Sequence, residues 1–217
     1  MKTRMKNTPH RNERGFTLVE LAIVLVIIGL IIGGVLTGQQ VIQNAKVTKA
    51  LNDIQGYESQ FQTYQQNFGA MPGDDLTATT RFPNGGLPGN GNGDGSLGAF
   101  TFDSTTAKDE SVLAWGDLRA ANLVKSQTPN TQASNPFNGI YGFQNGAFGG
   151  AFTTTVICLN NVPGTAAQAL DTRLDDGLPN SGSVQAMVST GVVGEATAGA
   201  VAANYSATST YTMCRKM

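Results

Sequence analysis

The chain has 217 residues, of which 40% are hydrophobic, and a formal net charge of -1. Its one histidine, His10, lies in a basic N-terminal stretch, so the rest of the chain lacks the imidazole that a Ser-His-Asp triad or a histidine-ligated zinc requires. The body carries no basic stripe, which argues against nucleic acid as a partner. Composition therefore excludes most hydrolases, zinc enzymes and nucleic-acid-binding proteins, and we do not expect an enzyme.

The N-terminal region contains a candidate membrane span. Residues 1–14 hold five Lys/Arg against one acid, whereas residues 16–36 form an apolar run whose only charge is Glu20. An α-helix of that length rises about 31 Å, which matches the hydrocarbon core of a bilayer. Basic residues before the run keep the N-terminus cytoplasmic. We therefore expect a single-pass membrane protein whose body is exported.

The start of this run carries a recognisable motif. Residues 14–21 read RGFTLVEL, and the apolar stretch continues from there. This closely resembles the prepilin signature of type IV pilins and type II secretion pseudopilins. The resemblance implies cleavage between Gly15 and Phe16 by a membrane aspartic prepilin peptidase, followed by N-methylation of Phe16. It also implies that Glu20, a costly charge in an apolar helix, pairs with the new α-amino group of Phe16 in a neighbouring subunit.

The same predicted helix contains several glycines. Two GxxxG patterns, at residues 29–33 and 34–38, would let membrane helices approach closely. Glycine also lowers helix propensity and could permit local melting when a subunit leaves the lipid for a filament. Gly29 matches the position near which helices of similar pilins begin to loosen, so we assign it, with Phe16 and Glu20, to assembly.

The helical pattern continues beyond the membrane. Apolar residues recur at spacings of three and four, which predicts one stripe along a continuing helix: Val47, Leu51, Ile54, Tyr57, Phe61, Tyr64 and Phe68. The resemblance implies an α+β pilin lollipop, in which the long N-terminal helix packs on an antiparallel sheet. Its parts would be a leader at 1–15, a helix at 16–68 with 16–36 in the membrane, and an extracytoplasmic head at 69–217.

The head is predicted to begin with a glycine-rich loop at residues 84–98 and a helix at 109–124, with Trp115 in the core. A second helix is expected at 165–174, capped by Thr165. Strands are predicted where β-branched or aromatic residues are bounded by Gly, Pro or Asn: 140–143, 151–159, 183–189 and 209–214. Cys158 and Cys214 are either a disulfide or two buried thiols, and export favours the disulfide.

The glycine-rich loop also resembles the first part of a calcium-binding loop. Asn90, Asn92 and Asp94 place side-chain oxygens at alternate positions, and Asp103 or Glu110 would have to complete the shell. The alternative is an Asn/Gly turn without metal. No other cofactor is indicated. Four acids are assigned to turns and caps: Asp74, Asp75, Asp175 and Asp176.

The sequence therefore predicts a structural subunit of a type IV pilus-like filament, first spanning the inner membrane with a periplasmic head and later exposed on the cell surface. The resemblance implies lipid contact before assembly, then self-association, with an assembly ATPase, a platform protein and a secretin as partners. Two alternatives stay open. One is a type II secretion pseudopilin, and the other is a membrane-anchored, calcium-dependent binding module.

Overall fold

A computed structural model describes residues 15–99, 101–125 and 131–217. The chain divides into two compact units, with the boundary between Ile42 and Gln43. Helix α1, Leu18–Phe68, runs through both. In the first unit every described residue is exposed. Among the described residues, α1 is the one helix whose length and composition would allow it to cross a membrane, with a mean hydropathy of 2.9 in its most apolar window.

The second unit is an α+β fold built on a four-stranded antiparallel sheet, as predicted. The strands are β1 Tyr141–Ala147, β2 Phe152–Pro163, β3 Val184–Val188 and β4 Thr210–Lys216, in the order β1-β2-β4-β3. Three of the remaining helices are α2 Ala78–Arg81, α3 Glu110–Ala120 and α4 Gly164–Leu174. A 3-10 turn, Phe148–Gly150, and helix α5, Glu195–Ala198, complete the order.

One face of the sheet packs against the second-unit part of α1. The predicted stripe lies in this core, with Val47, Ile54 and Tyr64 buried. Aromatic rings join the layers: Trp115 of α3 lies 4.9 Å from the rings of both Tyr57 and Phe143, measured between centroids. The alternation of β2 places Ile157 and Leu159 on this face and Val156 and Cys158 in a second cluster. Both sheet faces are therefore covered.

The predicted N-terminal cap of helix α4 is wrong. The predicted cap, Thr165, lies inside the first turn, because the helix begins at Gly164 and Pro163 occupies the N-cap position. No side chain caps this end. The Gly164 N–H instead donates to the Ser209 carbonyl at 2.9 Å. A neighbouring loop thus supplies the acceptor that the Thr165 hydroxyl was expected to provide.

The other helix of the head is shorter than predicted. Helix α3 ends at Ala120, four residues before the expected limit. Asn122 then takes a left-handed conformation with φ of 58°, and the Leu118 carbonyl accepts the N–H groups of Leu123 and Val124. This local closure ends the helix where the apolar pattern alone would continue it.

Candidate functional site

The predicted processing site lies at the start of α1. Thr17 and Glu20 form a reciprocal cap: the Thr17 N–H and hydroxyl both donate to Glu20 Oε2 at 2.8 Å, and the Glu20 N–H approaches Thr17 Oγ1 at 3.3 Å. This is the Thr-x-x-Glu capping box, in which two orphan donors at a helix N-terminus are satisfied. Glu20 therefore fixes Thr17, the residue after Phe16, as the N-cap of a helix that begins at Leu18, as well as carrying a charge.

The described part of the first unit, residues 15–42, presents a largely apolar surface. Leu18 and Leu30 are 87% and 73% exposed, and Phe16 is 81% exposed. Gly29 lies within uninterrupted helix. A Cβ placed at any of the GxxxG glycines would meet nothing within 4 Å. In water such a surface is unfavourable, so it requires lipid or other helices around it.

The glycine-rich loop is irregular, as predicted, but its three candidate ligands have separate roles. Asn90 Oδ1 accepts the Thr79 N–H at 2.8 Å, and Asn92 Oδ1 accepts the Asp94 N–H at 2.8 Å. These are loop-forming bonds, so two of the three predicted side chains are already engaged. Asp103 accepts the Gly194 N–H. Asp103 therefore stabilises a different loop, the one that contains Gly194.

A different set of acids meets beside this loop. Asp74, Asp94 and Glu110 each place one carboxylate oxygen within 4.8 Å of the other two. Asp74 follows α1, and Glu110 begins α3. Burial raises the pKa of Glu110, the Asn92 N–H opposes that shift, and the charges of Asp74 and Asp94 raise it further. Asp74, assigned to a turn by sequence, is both a turn residue and a member of this cluster.

A second buried acid lies nearby, on the same helix. Asp117 is 1% exposed and accepts the Gly73 N–H through Oδ2 at 2.7 Å. Burial raises its pKa to about 7; the Gly73 N–H lowers it, the Asp75 charge raises it, and Arg81 lowers it. Asp75 in turn binds Arg81 and accepts the Tyr64 hydroxyl at 2.8 Å. Nothing in the sequence pattern indicates that Asp117 is buried.

The two cysteines form a disulfide between adjacent strands. Cys158 of β2 lies directly opposite Cys214 of β4, with 4.0 Å between their Cα atoms. Both are fully buried. The bond therefore joins the two central strands of the sheet.

The N-terminal region matches a known protein family motif. The model of the prokaryotic N-terminal methylation motif matches residues 10–36. The chain carries the N-terminal signature of type IV pilins and pseudopilins. The signature contains the Gly15–Phe16 junction, Glu20 and most of the exposed apolar surface, and it implies self-assembly and processing by prepilin peptidase. Comparison with curated proteins gives no match.

Sequence reasoning on this pilin-type segment missed the capping box. Its pattern, Thr followed three residues later by Glu at the start of an apolar run, was visible in the sequence. The complete acid cluster was not visible, because its members come from segments separated by up to 36 positions. The turn that holds Asp74 packs directly on α3 through the Gly73 N–H and Asp117, and the glycine-rich loop donates to both Asp74 and Glu110.

Proposed function

We propose that this chain is a structural subunit of a type IV pilus-like filament and has no catalytic role of its own. Prepilin peptidase would remove residues 1–15, and the exposed Phe16 amine would be methylated. Subunits would then leave the membrane and associate through the apolar part of α1. The observation that carries the proposal is the methylation motif on a helix segment whose apolar side chains are all exposed.

Either lipid or other helices can cover that apolar surface. The first unit exposes Phe16, Leu18 and the following apolar residues, and burial of apolar area stabilises by roughly 25 cal/mol per Å². Lipid covers such a helix before assembly. Packing against identical helices covers it afterwards, and the small residues of the two GxxxG patterns allow close approach. One surface can thus serve both states of the subunit.

Processing is tested at Gly15. Replacing Gly15 by Leu should leave an uncut membrane protein, because a side chain next to the scissile bond must fit the peptidase site. Gly29→Ala is the matched control and should be cut normally, since its Cβ would meet nothing within the chain. Immunoblots of membrane fractions would show the two sizes. A fully shortened Gly15→Leu product would overturn the proposed cleavage site.

The role of Glu20 in assembly is tested by two substitutions. Glu20→Gln keeps an oxygen that can accept from Thr17, because Gln also completes a capping box, whereas Glu20→Ala removes both cap and charge. If the carboxylate pairs with the Phe16 amine of a neighbour, both variants should be cut but absent from surface filaments. Filament incorporation of Glu20→Gln at the wild-type level would show that Glu20 acts only as a cap.

The same motif occurs in pseudopilins, which sheared surface filaments distinguish from pilus subunits. A processed chain that stays in the cell envelope would favour the secretion pseudopilin. A chain that keeps residues 1–15 would favour a membrane-anchored binding module.

A further inference from the structure

Three chain segments bring carboxylates together at one end of the head. Asp74 comes from the turn after α1, Asp94 from the glycine-rich loop and Glu110 from the first position of α3. One oxygen of each lies within 4.8 Å of the others. A cation bound at about 2.4 Å from its ligands accommodates oxygens up to about 4.8 Å apart, because two ligands on opposite sides define that limit.

Glu110 distinguishes this cluster from an ordinary group of acids in a surface turn, because one of its carboxylate oxygens is buried without a hydrogen-bond donor among the described residues. Its side chain is 4% exposed, and Oε1 accepts the Asn92 N–H at 3.0 Å. Its other oxygen, Oε2, is buried and meets no donor in the described part of the chain. A buried carboxylate oxygen without a partner is costly, and two further carboxylates beside it add repulsion. Among the described residues, none of the three carboxylates forms an ion pair with Lys or Arg.

Backbone N–H groups of the glycine-rich loop hold the Asp74 carboxylate in place. The N–H groups of Gly93, Asp94 and Gly95 all donate to the Asp74 carboxylate, at 2.6, 3.1 and 2.7 Å. The loop lies so close that a Cβ at Gly91 would sit 2.3 Å from the Asp74 Cα. Gly91 thus has a steric reason to be glycine. Asp74 and the loop therefore form one rigid unit next to Glu110.

The second acidic cluster of the head shows the contrast. Asp171, Asp175 and Asp176 also bring oxygens within 4.8 Å. Asp171, however, accepts the Tyr205 hydroxyl at 2.6 Å and the Gly177 N–H at 3.2 Å, so both of its oxygens have donors. Asp176 likewise accepts from Leu178 and Ser181. This cluster is satisfied without a cation and supplies a matched control.

We propose that Asp74, Asp94 and Glu110 bind one divalent cation of the calcium type. Oxygen-only donors and a glycine-rich loop suit Ca²⁺, which accepts flexible geometry, better than Mg²⁺, which requires near-octahedral ligands. Asp94 belongs to the site predicted from sequence, which also offered Glu110 as a completing ligand, whereas Asp74 is new to it. Water and loop carbonyls would complete the shell. The ion would join the glycine-rich loop to the start of α3.

Binding is measured on the full chain in detergent, stripped with EGTA and titrated calorimetrically with CaCl₂ or MgCl₂. Extracellular calcium modules bind with Kd values on the order of 10⁻⁴–10⁻³ M, so titration to about 10 mM covers the expected range. Wild type should bind one Ca²⁺, more tightly than Mg²⁺. Glu110→Gln, which keeps an acceptor for Asn92, and the exposed Asp94→Asn should each weaken binding by at least about tenfold. Asp176→Asn should bind like wild type.

Thermal unfolding gives a second readout. In EGTA, Glu110→Gln should unfold at a higher temperature than wild type, because it removes a repulsive buried charge. In millimolar Ca²⁺ that order should reverse, since wild type binds the ion more tightly and therefore gains more stability from it. Absence of Ca²⁺ binding to wild type up to about 10 mM would overturn the proposal. Wild-type affinity in both Glu110→Gln and Asp94→Asn would also overturn it, as would an equal loss in Asp176→Asn.

Discussion

Replacement of Asp117 by Asn should change how the stability of the head depends on pH. Asp117 is buried beside Asp75, and one of its oxygens, Oδ1, meets no donor in the described residues. Burial raises its pKa from 3.8 to about 7. An acid with a raised folded-state pKa holds its proton longer in the folded state, so wild type should lose stability as pH rises from about 4 to about 7.

The size of this effect follows from the shift. A change from 3.8 to about 7 is about three pKa units, which at 1.36 kcal/mol per unit gives an upper limit of about 4 kcal/mol. Asn has no proton to lose and can still accept the Gly73 N–H through its Oδ1. The unfolding free energy of Asp117→Asn relative to wild type should therefore rise by about 2–4 kcal/mol between pH 4 and pH 8.

Urea unfolding of the full chain in detergent, followed by fluorescence, measures this difference. Trp115 is the only tryptophan and is fully buried in the head, so its emission reports on the second unit. Other titrating groups, such as Asp171 with a pKa raised to about 6, contribute to both proteins and cancel in the difference. A difference that stays flat from pH 4 to pH 8 would refute a buried, ionisable Asp117. The exposed Asp176→Asn variant should show no such rise.

Two further predictions concern the disulfide and the space around two helical glycines. Replacing Cys158 and Cys214 together by Ser should lower the free energy of unfolding by on the order of 4 kcal/mol, because the bond closes a loop of 56 positions; an unchanged urea midpoint under oxidising conditions would contradict this. Gly164→Ala should cost about 1–3 kcal/mol, since its Cβ would lie 1.8 Å from the Ser206 carbonyl oxygen. Gly56→Ala in α1, where nothing lies within 4 Å, should instead stabilise by about 0.5–1 kcal/mol, and equal effects at the two sites would refute the steric explanation.

Much of the fold could be predicted because its signals are local. The stripe from Val47 to Phe68 follows from helical periodicity. The structure packs it against the core, with four of its seven residues buried and three partly buried. Each predicted strand overlaps an observed one. The strand order could not be predicted, because β4 inserts between β2 and β3 through pairing across distant parts of the chain. Local propensity does not specify such register.

The candidate sites also differ in how far the sequence predicts them, because one is a contiguous motif and the other is assembled from distant segments. The junction of Gly15 and Phe16 lies in a short contiguous motif, and the family match covers it. The calcium prediction followed loop spacing and included Asn90, whose side chain instead supports α2. Glu110 could be suggested as a completing ligand from sequence, but the participation of Asp74 depends on the packing of three segments. Sequence spacing cannot show which side chains are already engaged.

The most direct test of the proposed pilus subunit is mass spectrometry of the N-terminal peptide of the chain in filaments sheared from the cell surface. A pilus subunit should give a chain that begins at Phe16 and carries one added methyl group on its α-amine. Such a peptide would establish processing and surface assembly together. A chain that retains residues 1–15, or a processed chain found only in the envelope and never in sheared filaments, would contradict the proposed pilus subunit.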